Sequence, residues 1–176
     1  MRAARAALAA ALLVVACGGG GGGGGGTTPP PSIVYTPGGS PSGSALVLVE
    51  GSGGSATQLL LNLDARSVSG LYGVGFDLLY PSGVLTFVGV TKGSFFSGNT
   101  SLQVNSSNPG RLIVGFSRLG AVSGVSGSGT LLTIEFRGAG AAGSGALGFE
   151  NNQAYDNQAD PKPGITWVGG DVTVTP

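Results

Sequence analysis

The sequence predicts an all-β sandwich of about nine short strands, preceded by a disordered Gly/Pro linker. Three observations carry this reading. Apolar residues make up 41% of the chain and recur with a period of two in several runs. Turns rich in Gly and Ser punctuate those runs, and Gly accounts for 36 of 176 residues. Outside the N-terminal leader no window longer than about a turn carries a helical period. Charged residues are only 9% of the chain, against roughly 25% in ordinary globular domains. Disorder is therefore expected where the alternation stops.

Residues 1–16 read as a targeting segment, with Arg2 and Arg5 ahead of a short apolar stretch from Leu8 to Ala16. That stretch is shorter than the about 20 apolar residues a membrane-spanning helix needs. It ends Val14-Val15-Ala16-Cys17, which resembles a bacterial lipobox. The resemblance implies cleavage before Cys17, acylation of its sulfur and new amino group, and an address at the bacterial cell envelope, on the outer membrane or cell surface. Two or more acyl chains hold a protein stably to a bilayer. An ordinary secretory signal with an incidental cysteine is the competing reading. Losing the leader removes two arginines and leaves the chain weakly acidic.

Residues 17–44 read as the cysteine that the lipobox resemblance implies is lipidated, followed by the linker. Gly18 to Gly26 is an unbroken glycine run; it lacks the preceding strand, Lys-Ser/Thr and following helix of a phosphate-binding loop. Pro29-Pro30-Pro31 adds a stiff section. Ile33-Val34-Tyr35 reads as a sticky point or a stray strand inside the linker. The folded domain is then 45–176.

Its strands follow in order. Residues 45–50 form one, and 57–64 another with Leu59, Leu61 and Leu63 inward. Residues 71–80 alternate most clearly, with Val74, Phe76, Leu78 and Tyr80 on the core side and Gly73, Gly75, Asp77 and Leu79 opposite. Pro81-Ser82-Gly83 interrupts, since proline cannot donate to a ladder, and Leu85 and Phe87 restart the pattern. Residues 101–105 make a short polar strand at or near an edge. In 111–118, Leu112, Val114 and Phe116 point inward. A Gly/Ser loop spans 120–129. Leu132, Ile134 and Phe136 mark the next strand, and Leu147 and Phe149 the one after. Residues 165–168 and 171–175 read as a closing hairpin across Gly169-Gly170.

The composition excludes much chemistry. There is no histidine, and Cys17 is the sole cysteine, so Ser-His-Asp, Cys-His and His-ligated zinc sites are absent. No basic cluster suits nucleic acid. Catalysis would need paired carboxylates among Asp64, Asp77, Glu135 and Glu150, and alternation puts Asp77 and Glu135 on surfaces with no implied cleft. The chain is read as non-enzymatic. Residues 151–160 concentrate oxygen ligands, and Asn151, Asp156 and Asp160 are the weak calcium candidates. No other cofactor is expected. Tyr72, Phe95, Phe96, Tyr155 and Trp167 are the aromatics from which a sugar-binding row could be built, though Trp167 reads better as core.

The order of these elements resembles a cohesin domain, the nine-stranded jelly-roll module of cellulosomal scaffoldins. Residues 75–87 carry the likeness, with Val90 to Gly93, residues 111–116, Gly129 to Phe136 and Gly170 to Val174. One departure is Tyr80-Pro81-Ser82, where the family often has Tyr-Asp-Pro. The resemblance implies docking of a dockerin-bearing partner on one sheet face. The partner-binding residues it implies are Leu71, Gly73, Asp77, Leu79, Gln103, Asn105, Arg111, Ile113 and Ser117. Such a module, lipid-anchored at the envelope, fits a role in polysaccharide degradation. The alternatives are a carbohydrate-binding module on the same scaffold, with polysaccharide as the partner, and a structural envelope lipoprotein.

Overall fold

The computed structural model describes residues 32–175. The leader, Cys17 and the glycine run lie outside the described residues. The described residues form eleven strands: β1 (Ser32–Pro37), β2 (Ala45–Glu50), β3 (Gln58–Leu71), β4 (Gly73–Leu79), β5 (Leu85–Lys92), β6 (Thr100–Asn105), β7 (Arg111–Arg118), β8 (Val125–Gly138), β9 (Gly143–Tyr155), β10 (Thr166–Val168) and β11 (Gly170–Thr175). They pack as a jelly-roll sandwich. One sheet has the order β1-β11-β9-β4-β7-β6 and the other β10-β2-β3-β8-β5. Neighbours are antiparallel except β10 and β2.

The alternation places the core where it was expected. Leu59, Leu61 and Leu63 from β3 and Leu132, Ile134 and Phe136 from β8 meet Val74, Phe76 and Leu78 from β4 and Leu112, Val114 and Phe116 from β7. Each fully buried large side chain contributes roughly 1.5–3 kcal/mol. Phe76, Phe149 and Trp167 form a triangle of rings with centroids 5.2–5.6 Å apart, so Trp167 packs against the core. Phe95 and Phe96 are buried as well, and a row of exposed aromatics does not form from the five candidates.

Four expectations change. Ser32–Pro37 lies within the span read as linker, yet it pairs with β11 along its whole length. Tyr35 explains this: its ring is buried, and its hydroxyl donates to the carbonyls of Leu48 (3.0 Å) and Gly169 (3.1 Å).

Leu71, expected on the docking face, is fully buried and ends β3, opposite Val125 of β8. The expected strand 71–80 is two strands. The chain changes sheets at Tyr72, whose N–H bonds to the Tyr155 carbonyl and whose carbonyl accepts from Arg118. Parity does not carry across such a crossing.

Gly169-Gly170 is no hairpin turn. β10 pairs with β2 in one sheet, and β11 with β9 and β1 in the other. The glycines are needed for close approach: a methyl on Gly169 would run into the Leu147 carbonyl, and one on Gly170 into that of Thr36.

Two loops are also shorter than expected. β8 already starts at Val125, where the Ser126 and Ser128 hydroxyls accept from the N–H groups of Gly70 and Ser67 and patch an irregular ladder. β9 runs to Tyr155, so the polar stretch from Asn151 is mostly strand.

Candidate functional site

The outer face of β9-β4-β7-β6 is built in rows by the register. Leu79 lies opposite Arg111, Asp77 opposite Ile113, Gly75 opposite Gly115 and Gly73 opposite Ser117. β6 extends the rows with Asn105 beside Ile113, Gln103 beside Gly115 and Ser101 beside Ser117. The structure therefore gathers eight of the nine expected residues on one face. Leu71 is the exception.

The face has two halves. In the first, Ile113 is 45% exposed although β7 lies inside the sheet. An isoleucine so placed contributes little to the core and leaves apolar area in water. Leu79 sits half-buried one row along. Beside them is a polar network. Arg111 donates through Nε to Asp77 Oδ2 (3.0 Å) and through Nη2 to Glu150 Oε2 (2.8 Å), with Nη2 also 2.9 Å from Asp77 Oδ2. Asn151 Nδ2 donates to the same Asp77 oxygen at 2.7 Å. Asp77 is only 7% exposed beneath these partners. The network holds it in place, and Glu150 keeps the solvent-facing carboxylate.

Among the described residues, Asp77 and Glu150 are the one carboxylate pair that strand pairing brings together. Arg111 bridges them. Asp64 bonds to Thr130, and Glu135 to Gln58. Glu150 and Asn151 were missed as members of this face. The contact follows from β9 pairing with β4, which no local pattern announces. Asn151 sits at φ 48° where the β4–β9 register slips, and that kink turns its amide onto Asp77.

The second half is a groove of about 650 Å³. Gly73, Gly75 and Gly115 form its floor, with Ser101, Gln103 and Ser117 along one side. Tyr72, Tyr155 and the turn 156–159 close the other. A Cβ on Gly75 or Gly115 would meet nothing within 4 Å, so core packing does not require either glycine.

The calcium candidates separate. Asn151 is engaged with Asp77, while Asp156 Oδ1 accepts from the N–H groups of Gln158 (2.9 Å) and Asp160 (3.0 Å) and shapes the turn. Among the described residues no group of three or more His, Cys, Asp or Glu side chains could hold a metal.

Several solved structures share the fold. The second type II cohesin module from the adaptor ScaA scaffoldin of Acetivibrio cellulolyticus matches with a TM-score of 0.64 at 12% identity, covering 75% of this chain and 91% of that one. A non-cellulosomal cohesin from the archaeon Archaeoglobus fulgidus gives 0.55 at 21% identity, covering 80% and 88%. The sixth cohesin of scaffoldin B from Acetivibrio cellulolyticus, in complex with a Cel5 dockerin mutant, gives 0.57 at 18%, covering 72% and 97%. Comparison with curated proteins finds no match. The family model described as Cohesin domain matches residues 44–174, nearly all of the sandwich, and the chain belongs to the cohesin family.

Proposed function

We propose that this cohesin domain is a non-catalytic docking module that holds a dockerin-bearing partner on the outer face of β9-β4-β7-β6. The observation that carries the reading is Ile113, an exposed isoleucine on an interior strand, flanked by Leu79 and by a polar network already locked in place. Interfaces concentrate their energy in a few central anchors of this kind, with ordered polar groups around them. The opposite sheet exposes Val88, but on its edge strand β5. Its outward Asn62, Asp64, Thr130 and Thr133 are bonded to one another in pairs. The similar structure of a cohesin with its dockerin supports a partner of that type.

Acylation at Cys17 would tether the module to the envelope through the glycine and proline linker. A tethered dock raises the local concentration of a secreted enzyme at the surface where a polysaccharide is degraded.

The test uses the chain with Cys17→Ser as bait against secreted proteins of its source. Recovery of a dockerin-bearing protein is expected, with capture lost on Ile113→Asp while the melting temperature stays unchanged. Capture that survives Ile113→Asp would place docking elsewhere.

A further inference from the structure

The groove beside Ile113 has a chemistry unlike that of the apolar anchor on which docking is proposed. Its polar lining is neutral: the hydroxyls of Ser101 and Ser117 and the amides of Gln103, Asn157 and Gln158. The one carboxylate there, Asp156, is already engaged by two backbone N–H groups of its own turn. Tyr72 and Tyr155 contribute rings, and Tyr72 is held by its hydroxyl's bond to the Gly120 carbonyl (2.7 Å).

Charge selects the occupant. An anion would face Asp156 and, two rows away, Glu150; a cation would find no carboxylate without partners. A neutral ligand rich in hydroxyls fits both the amides and the rings, since sugar rings lay their C–H faces on aromatic side chains and exchange hydrogen bonds with amides. The volume lies within the roughly 300–1,000 Å³ typical of small-molecule sites. The glycine floor fits as well. Glycine weakens a strand relative to alanine, and here the fold has room for a side chain at both Gly75 and Gly115. Their backbone is left open to close approach by a ligand.

We infer that this groove is a binding site for a neutral oligosaccharide within the face on which the partner docks. Gly73, Gln103 and Ser117 belong both to the groove and to the expected docking face, so a glycan and a protein partner would compete for these rows. A module with both capacities would exchange one occupant for the other on the same surface.

The experiment titrates the full chain carrying Cys17→Ser with cellohexaose, xylohexaose and mannohexaose, using tri-galacturonate as the charged control. Amide resonances are followed by NMR and affinity by calorimetry. At least one neutral hexaose is expected to shift Gly75, Gly115, Ser117 and Tyr155, and tri-galacturonate none of them. Gly115→Leu fills the groove and should weaken that binding about tenfold or more; Gly75→Leu is the second filling variant, and both should melt no lower than the parent. If no neutral hexaose shifts these amides, or if the shifts persist in both filled variants, the inference is overturned. Partner capture lost on Gly115→Leu, without any sugar response, would also overturn it and give the groove to the protein partner.

Discussion

Tyr35 shows how much one side chain can decide. Burial, and secondarily the charge of Asp171, push its phenol up to about 12 from an ordinary value of 10.0. The neutral form is the one the fold accommodates. The stability it contributes is therefore complete below pH 10 and falls as pH rises from there toward 12. Tyr35→Phe should cost about 1 kcal/mol at neutral pH through the lost bonds. It should also reduce the alkaline fall in stability. Urea unfolding from pH 7 to 11 measures both, and an unchanged alkaline slope would remove Tyr35 as its source. Arg111 is the second decisive residue. Arg111→Ala leaves Asp77 covered with Asn151 as its remaining side-chain donor, and should cost about 2 kcal/mol. Glu150 is exposed, so Glu150→Ala should stay within about 0.5 kcal/mol. Equal losses in urea unfolding would mean that Asp77 behaves as a surface group.

At the scale of elements, β1 is the strand that the sequence left inside the linker. β1 covers the edge of β11, whose Val172 and Val174 are buried. A chain beginning at Gly38 should melt several degrees below one beginning at Ser32, with faster amide exchange at Val172 and Val174. Equal melting points would make β1 an appendage. β10 is only three residues long and pairs in parallel with β2, yet it places Trp167 on Phe76 and Phe149. Strands β3, β8 and β9 are each longer than the alternation suggests, because bulges interrupt the period of two without ending the strand.

For the whole molecule, the two outer faces are unlike. The five-stranded sheet carries a ladder of hydrogen-bonded polar pairs; the six-stranded sheet carries an exposed isoleucine, an ordered charge network and an open groove. Binding should therefore respond to one sheet alone. Arg137→Glu on β8, a charge reversal at an exposed residue of the other sheet, should leave partner capture unaltered where Ile113→Asp abolishes it. Loss of capture in both would point to a general disturbance of the sandwich.

Period-two alternation identified the core strands because one face of each must be apolar wherever the chain continues, and it set the parity of Asp77, Leu79, Arg111 and Ile113 correctly. The glycine-rich turns and the absence of a helical period were equally local, so the sandwich class was legible. Local pattern carries no information about which sheet a strand joins. For that reason Leu71 was placed on the wrong face, and Gly169-Gly170 read as a hairpin when it crosses between sheets. β1 needed a partner 133 or more residues away before Tyr35 could count as core. The site divides in the same way. The outward residues of β4, β6 and β7 followed from parity and from the family's face. Glu150, Asn151, Tyr155 and the turn after them reached that face only through the pairing of β9 with β4, a contact between distant segments that the tertiary structure alone decides.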